Sequence, residues 1–111
     1  NTGNIKVFEK IILEDNSKNY LILSLDGIIH EMSSEFLRSF GHAKIDLTGK
    51  HICEYIHSDS VNLFKDAHIK VLSNKSSSCN ISFRLITGSY ALTILEMYHK
   101  NNKLSCYLYL D

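Results

Sequence analysis

The sequence predicts a single α+β domain built on an antiparallel sheet. Asp26-Gly27 separates two short apolar runs, and an Asp-Gly pair in that setting is the strongest short-range hairpin signal, with positive φ at both turn positions. Residues 79–87 and 104–110 alternate apolar with polar side chains, as strands with one buried face do. Residues 60–72 place apolar side chains three or four positions apart, which predicts a helix. Strand blocks on either side of a helical block are typical of an antiparallel α+β domain whose helices cover one sheet face.

The composition fits one domain and argues against several functions. The chain has 111 residues, 44% of them hydrophobic, which is enough for a single core. Twelve basic and twelve acidic residues balance, so no bulk charge favours nucleic acid or a membrane surface, and no apolar run is long enough to span a bilayer. Cys53, Cys79 and Cys106 are odd in number and widely spaced, which predicts free thiols in the cytoplasm.

The N-terminal segment reads as an amphipathic helix over residues 4–14. Ile5, Phe8 and then Ile11 or Ile12 recur at helical spacing. A strand is the alternative, because residues 11–13 are also a good strand core. The polar run that follows is the one plausible linker, so we divide the chain into a cap segment, residues 1–17, and a domain, residues 18–111.

The first strands and the first helix follow directly. Residues 20–25 and 28–32 form the predicted hairpin. Ser33 or Ser34 can cap the next helix, and Gly41 ends it. The apolar face of this helix consists of Phe36, Leu37 and Phe40.

The middle of the chain holds two more predicted helices. Residues 46–49 turn the chain into a short helix over 50–56, and Ser58 is expected to cap the long helix over 60–72. The apolar face of the long helix consists of Val61, Phe64, His68 and Val71 or Leu72.

Three strands complete the prediction. They cover residues 79–87, 90–98 and 104–110, with turns at Thr87-Gly88-Ser89 and at Asn101-Asn102.

Five stretches at the joints of this order resemble a PAS domain. They are Leu25-Asp-Gly-Ile-Ile29, Ser34-x-x-Phe-Leu-x-x-Phe-Gly41, Asp46-Leu-Thr-Gly-Lys50, Ile56-His-Ser-Asp59 and Ser82-Phe-Arg-Leu-Ile-Thr-Gly-Ser-Tyr90. The resemblance covers about residues 20–111. Ser58 replaces the usual proline and Ser60 the second aspartate at the entry to the long helix.

The resemblance implies a five-stranded antiparallel sheet with short helices on one face and an amphipathic cap segment before it. It implies a regulatory domain of a larger signalling protein (a sensor kinase, cyclase or transcription regulator, nuclear in the last case) with its effector domain elsewhere in that protein. Such a domain acts by homodimerisation or PAS–PAS heterodimerisation and by sensing a small apolar ligand, without contacting nucleic acid or a membrane. The residues expected to line its cavity are Phe36, Phe40, Ile52, Tyr55, Phe64, His68, Ile81 and Phe83.

The tyrosines indicate an interface. In a PAS-like sheet the first and last strands are near neighbours, so their aromatic residues are expected to share the face that points away from the helices. Aromatic rings on such a face need cover. The candidate interface residues are Ile5, Phe8, Ile12, Tyr20, Ile22, Tyr107 and Tyr109.

Other chemistries have less support in the sequence. Haem is the alternative, with His68 as its axial ligand, because haem-binding PAS domains take a histidine from the long helix. Flavin photochemistry is not expected, since Cys53 falls one residue late against the light-sensing pattern. His51, Cys53 and His57 do not share one helix face, so we expect no metal site. No nucleophile elbow, phosphate loop or paired carboxylates appear, and we expect no enzyme.

Overall fold

The computed structural model describes residues 18–111. The predicted N-terminal helix and the proposed interface residues Ile5, Phe8 and Ile12 lie outside that range. The strands are β1 (Tyr20–Ser24), β2 (Ile29–Met32), β3 (Ser76–Arg84), β4 (Tyr90–Lys100) and β5 (Lys103–Leu110). The helices are α1 (Ser34–Phe40), α2 (Lys44–Leu47), two 3₁₀ helices (Ile52–Tyr55 and Ser58–Ser60) and α3 (Val61–Asn74).

The five strands form one antiparallel sheet in the order β2-β1-β5-β4-β3. The predicted α+β class with a five-stranded antiparallel sheet is confirmed. β1 and β5 are neighbours in register, with Tyr20 opposite Tyr107 and Leu23 opposite Leu104. Because side chains alternate between the faces of a strand, this register places the tyrosines on one face and the leucines on the other.

The predicted hairpin turns at Asp26-Gly27 and Asn101-Asn102 differ from each other in backbone conformation. At Asp26-Gly27 only the glycine has positive φ, +94°, so the expectation of positive φ at both positions was wrong. The loop is one residue longer than a two-residue turn, since the Ser24 N–H donates to the carbonyl of Ile28 at 2.8 Å and leaves three residues between them. Asn101 and Asn102 do both have positive φ, as a two-residue turn between β4 and β5 requires.

Helix α1 begins and ends where the sequence predicts. The Ser33 hydroxyl accepts a hydrogen bond from the N–H of Phe36 at 3.1 Å, which is an N-cap. Gly41 adopts the left-handed conformation, φ +82°, and its N–H donates to the Leu37 carbonyl.

The segment after α1 was predicted less well. α2 was not predicted as a helix, and the helix expected over residues 50–56 is a single 3₁₀ turn, Ile52–Tyr55. This turn is short because the backbone on each side of it is hydrogen-bonded to a strand. The Lys50 carbonyl accepts from the N–H of Ile29, and the His57 N–H donates to the Ser82 carbonyl.

The start of α3 also corrects the sequence reading. Ser58 does not cap it; residues 58–60 form a 3₁₀ helix capped by His57, whose ring nitrogen accepts the N–H of Asp59. The hydroxyl of Ser60 instead accepts the N–H of Ser82 on β3. Helix and strand are thereby joined at the point where α3 begins.

Strand β3 lies three residues earlier than predicted at both ends. The helix ends at Lys75, which has φ +70°, and the strand starts at once with a run of serines. The apolar residues after Arg84 belong to the following turn, where the Gly88 N–H donates to the Leu85 carbonyl.

The core lies between one sheet face and the helices. The side chains with no exposed surface on that face are Leu21, Leu23, Ile29, Phe83, Leu95, Met97, Leu104 and Cys106. Those facing them with at most 1% exposure are Phe36, Phe40, Leu47, Ile52, Phe64 and Val71. Within residues 18–111, no helix is long and apolar enough to cross a membrane.

Candidate functional site

The centre of the core is an aromatic cluster around Phe83. Its ring is edge-on to Phe36 at 5.5 Å and to Phe40 at 5.2 Å between ring centroids. The ring of Tyr55 is stacked on it at 5.9 Å. Such contacts add to the free energy of burying the rings themselves. The space between α1, β3 and the 3₁₀ turn is therefore occupied by side chains.

A strap, residues 49–57, closes this core from the helical side. At one end the Gly49 N–H donates to the carbonyl of Ile29 at 2.8 Å, and the Ile52 N–H to that of Gly27 at 2.9 Å. At the other end Ile56 forms a bridge with Phe83. The strap therefore runs from the β2 edge of the sheet to the β3 edge and carries Ile52 and Tyr55 into the core.

Tyr55 is held from several directions. Its hydroxyl donates to the carbonyl of Asp46 at 3.1 Å, and the ring of His42 meets it edge-on at 5.2 Å. The guanidinium of Arg84 lies 5.0 Å from its ring centroid, which is a cation–π contact. Burial, followed by the charge of Glu54, raises the pKa of the Tyr55 hydroxyl. These contacts fix the ring against Phe83.

His68 lies on α3, half-buried at the edge of the core. Its Nε2 is 2.7 Å from the carbonyl oxygen of Leu25, so Nε2–H donates to the β1–β2 turn. Its ring lies 5.4 Å from that of Phe64. An iron ligand needs a free ring nitrogen aimed into a cavity, and Nε2 is engaged with a carbonyl. Nε2 can therefore not serve as an axial haem ligand while this hydrogen bond is kept.

The eight residues predicted to line a cavity fall into two groups, one inside the core and one at its edge. Seven of them are at most 7% exposed, and His68 is half-buried. Phe36, Phe40 and Tyr55 each contact Phe83 directly. A small ligand in this core would have to displace one of these rings.

The three cysteines lack the character of reactive thiols. Burial raises the pKa of the Cys79 thiol to about 11 and also raises that of Cys106, which is fully buried. Burial raises the pKa of Cys53 as well, with the positive charge of Lys65 opposing it. Nucleophilic cysteines have lowered pKa values, so the raised values argue against a nucleophilic role for these thiols. Within residues 18–111, no three histidine, cysteine or acidic side chains are grouped to hold a metal ion.

The sheet face away from the helices, called the outer face here, carries a row of tyrosines. Tyr20 and Tyr107 meet edge-on at 6.4 Å between centroids, and Tyr98 meets Tyr107 at 6.2 Å. The ammonium nitrogen of Lys18 lies 5.9 Å from the Tyr107 ring centroid. The first and last strands are therefore neighbours, as predicted, and their tyrosines share one face. Tyr98 on β4 adds a third ring to this row.

The two halves of the outer face differ in exposure. Tyr20 and Tyr107, on β1 and β5, are each only 7% exposed. On β4, Leu92 is 64% and Ile94 40% exposed, and Tyr109 on β5 is 45% exposed. The exposed apolar surface is thus concentrated on the β4 side of the face.

The carboxylate of Glu96 lies within this exposed half. Glu96 accepts a hydrogen bond from the Tyr98 hydroxyl at 3.3 Å. Burial and a hydrogen bond to Glu96 raise the pKa of Tyr109, and burial and the charge of Glu96 raise that of Tyr98. A shallow recess beside this group is lined by Ser76, Ser77, Ser78, Glu96 and Tyr98.

The sequence reading did not identify the β4 part of this surface. Leu92, Ile94 and Tyr98 face outward, while Thr93, Leu95 and Met97 face the core. The signal was present, because residues 91–98 are apolar at nearly every position instead of alternating. A strand that is apolar on both faces predicts cover on both faces.

Comparison with solved structures gives the same fold at low sequence identity. The Drosophila melanogaster Cycle PAS-B structure with bound ethylene glycol aligns with a TM-score of 0.79 and 16% identity, covering 84% of this chain and 99% of that one. The PAS domain of an HTR-like protein from Haloarcula marismortui aligns at 0.70 and 13%, covering 98% and 99%. A domain of a sensory box sensor histidine kinase/response regulator from Geobacter sulfurreducens aligns at 0.77 and 9%, covering 97% and 96%.

These alignments show that the chain has the PAS fold, which confirms the resemblance drawn from the sequence. No protein-family model matches the sequence, and no curated protein matches it.

Proposed function

We propose that this chain is a regulatory interaction domain that binds a second copy of itself through the β4 side of its outer sheet face. The observation that carries the proposal is the group of exposed apolar side chains on that face. Leu92, Ile94, Tyr98 and Tyr109 are 38–64% exposed and lie on two adjacent strands. A contiguous apolar patch of this kind marks an interaction site, whereas scattered exposed leucines do not.

The chemistry of the patch resembles the centre of a protein interface. Tyrosine and large aliphatic side chains are enriched there and charged side chains are depleted. Tyr98 and Tyr109 present apolar rings whose hydroxyls are already hydrogen-bonded to Glu96, so little polar surface would lose its partners on binding. These two hydroxyls can therefore be covered at a low cost in desolvation.

Charge placement favours a second copy as the occupant. Glu96 is a half-buried carboxylate in the patch, and Lys100 and Lys103 face each other at the end of the same β4–β5 hairpin. In an isologous dimer each patch meets the identical patch. With the two-fold axis near Tyr98, midway between Glu96 and Lys100 on β4, an antiparallel arrangement of the two hairpins would bring the carboxylate of one copy toward the lysines of the other.

The fold neighbours support a regulatory role in general terms. PAS domains are commonly sensory or interaction domains, and one neighbour is a domain of a sensor histidine kinase/response regulator. We propose further that the chain is part of a larger signalling protein whose effector domain lies elsewhere in that protein. This protein would be cytoplasmic, or nuclear if it is a transcription regulator. A PAS–PAS heterodimer through the same face is the second form that the proposed interaction can take.

The test is the dependence of oligomeric state on one outer-face residue. Ile94→Asp places a carboxylate beside Glu96. We expect the dissociation constant of the dimer to rise about 30-fold or more, as for an interface hot spot. The matched control is Ile45→Asp, because Ile45 is 85% exposed on α2, on the helical side of the molecule. Light scattering and sedimentation over a concentration series give the mass of each variant.

Either of two results would refute self-association through this face. The wild-type chain would remain a monomer at every concentration, or Ile45→Asp would dissociate the dimer as strongly as Ile94→Asp. Equal melting temperatures of the two variants establish that a loss of mass reflects the interface and not unfolding.

Small-ligand sensing is the second part of the proposal. A ligand that displaces a ring of the aromatic cluster would favour one arrangement of the strap and shift the population of that arrangement. The measurement is the melting temperature across a panel of small apolar compounds. A ligand at 100 times its dissociation constant stabilises by about 2.7 kcal/mol, and no rise across the panel would indicate a core that is filled.

A further inference from the structure

We infer that the open edge of β3, residues 76–80, accepts an extended peptide segment of a partner protein as a sixth strand, with a lysine or arginine of that segment bound at Glu96. Two features carry the inference: a row of backbone groups on an edge strand, and an acidic recess beside that row. The site shares Glu96 with the apolar patch of the outer face, but it uses the backbone of β3 and does not require self-association.

The edge of β3 is covered by the chain itself at one end. β3 is the last strand of the sheet, so only one of its edges pairs with β4. On the other edge, the Ser82 carbonyl accepts the N–H of His57, and the Ser82 N–H donates to the hydroxyl of Ser60. Both backbone groups of Ser82 therefore point away from β4. Because these directions alternate along an antiparallel strand, the backbone groups of Ser78 and Asn80 point the same way.

The row at Ser78 and Asn80 is open. Within residues 18–111, no group bonds to the backbone N–H or carbonyl of these two residues on the side away from β4. Both residues are exposed. A partner strand can pair with such groups through main-chain hydrogen bonds, which is the mode of strand addition to a sheet edge. The chain gives up no hydrogen bond of its own in doing so.

Residues 76–80 lack the features that usually protect a strand edge. Natural edges carry charges, proline or bulges, or are covered by another segment. This stretch is Ser76-Ser-Ser-Cys-Asn80, without charge or proline, and its register with β4 has no bulge. The opposite edge of the sheet is protected, since both backbone groups of Ile29 on β2 are bonded to the strap and the exposed Glu31 follows. The β3 edge is therefore the one suited to an added strand.

The recess beside this edge supplies a negative charge. It is lined by Ser76, Ser77, Ser78, Glu96 and Tyr98. Ser78 lies directly opposite Glu96 in the register of β3 and β4. A residue added opposite Ser78 would therefore stand in one row with Ser78 and Glu96, about 10 Å from Glu96 across two strand spacings. The serine between them is small, so a long side chain can pass over it.

A lysine or arginine fits this row best. Its long apolar stem can lie along the recess while its charged end reaches the carboxylate. Glu96 is half-buried and accepts a hydrogen bond from the Tyr98 hydroxyl at 3.3 Å. A carboxylate has about four acceptor sites, so Glu96 retains capacity for a cation. Charge-assisted hydrogen bonds are stronger than neutral ones, so the edge supplies affinity and the recess selects a basic side chain.

The added segment is expected to run antiparallel to β3. Antiparallel pairing is slightly more stable per residue, and every pairing in this sheet is antiparallel. Residues directly opposite each other then exchange both hydrogen bonds wherever their backbone groups face each other. The basic residue opposite Ser78 would bond to β3 through its own N–H, whereas the residues on either side of it would not.

The experiment measures the fluorescence anisotropy of a labelled, end-capped peptide, Thr-Val-Lys-Val-Thr, as the chain is titrated into it. Valine and threonine favour the extended conformation. We expect saturable binding, and replacing the lysine by glutamate should weaken it about tenfold or more, since a charge-assisted bond becomes a repulsion. Light scattering of the same samples gives the mass of the chain, so failure of peptide binding and failure of the proposed dimer are read separately.

Backbone pairing is tested on the peptide, with the chain unaltered. Methylating the nitrogens of the lysine and of the last threonine removes two donors that would face β3, and we expect binding to weaken about tenfold or more. Methylating the nitrogens of the two valines is the matched control. Those nitrogens would face away from β3, so binding should change by less than about twofold.

Two substitutions test the protein side. Glu96→Gln keeps the shape of the side chain and removes its charge, so the preference for the lysine peptide over the glutamate peptide should fall to about twofold or less. Glu31→Gln is the matched control on β2, at the opposite edge, and should leave the preference unchanged. Ser78→Pro removes the open N–H, which is not part of the ladder with β4, and should weaken peptide binding about tenfold.

Each of four results would overturn the inference. The lysine peptide does not bind, as it would not if residues 1–17 of the chain occupied the edge. The two methylated peptides bind equally well. Glu96→Gln keeps the full preference for lysine. Ser78→Pro lowers the mass of the chain in solution and leaves peptide binding unchanged, which would assign the edge to a second copy. If Ser78→Pro does not fold, the methylated pair still tests the edge.

Discussion

The two faces of the sheet are built from similar residues but meet different surroundings. On the core face, Leu95 and Met97 of β4 have no exposed surface and pack against the helices. On the outer face, Leu92 and Ile94 of the same strand are 64% and 40% exposed. Apolar composition alone therefore does not distinguish a face that the chain covers itself from one that it offers to a partner.

The difference lies in what each face is joined to. The core face is closed by the strap and by α1, whose start is fixed by the buried hydroxyl of Ser33. That hydroxyl accepts from the N–H groups of Tyr20 and Phe36 and donates to the carbonyl of Lys18. On the β4 side of the outer face, the Tyr98 hydroxyl donates to Glu96 of the same strand. Stability should accordingly depend on the first face and association on the second.

The largest effect should come from the centre of the core face. Phe83→Ala removes the ring that Phe36, Phe40 and Tyr55 contact, and we expect a loss of about 3–5 kcal/mol in the free energy of unfolding. Urea unfolding monitored by circular dichroism measures it. If the truncated variant does not fold, Phe83→Leu, with a smaller expected loss, gives the same information. A loss below about 1 kcal/mol would mean that the cluster is not tightly packed.

Thiol labelling should mark the boundary of the core face. With a pKa of about 11, Cys79 is thiolate at about one part in a thousand at pH 8, against about a quarter for a free cysteine. We expect its labelling to be about 200-fold slower than that of a model thiol and to rise as pH approaches 11. Cys106, which is fully buried, should label only on unfolding. Equal labelling rates of Cys79 and Cys106 in the folded protein would contradict this order.

Local chemistry explains why most of the fold could be predicted. Ser33 as a cap, Gly41 as a helix end and Asn101-Asn102 as a turn are each determined by one or two residues, and all three are confirmed. The predictions that were wrong involve contacts between distant segments. Ser58 was expected to cap α3, but it lies in the 3₁₀ helix before α3, where the His57 ring accepts the N–H of Asp59 and the His57 backbone is bonded to Ser82 of β3.

The candidate sites were harder to predict from the sequence, because they too depend on contacts between distant segments. His68 has helical spacing that indicates a core position, yet its partner, the Leu25 carbonyl, is 43 residues away. Ser78 and Glu96, which line the same recess, lie on different strands. Such pairs appear only when the segments are folded together. The outward position of Leu92, in contrast, could have been read from the apolar run on β4.

We expect the smallest effect on stability from a substitution at the outer face. Comparing it with the same substitution at the core face is the most direct test of how the two faces differ. Leu92 and Leu95 are the same residue type on the same strand, one 64% exposed and the other with no exposed surface. We expect Leu95→Ala to lower the free energy of unfolding by about 2–5 kcal/mol, because it leaves a cavity. Leu92→Ala should change it by less than about 0.5 kcal/mol when measured on the monomer, yet weaken the dimer. Measuring both free energies of unfolding in the Ile94→Asp background, at concentrations below the dissociation constant of its weakened dimer, keeps association out of the comparison. If Leu92→Ala destabilised that monomer as much as Leu95→Ala does, the outer face would be a second core covered from within the chain, and not a surface for a partner.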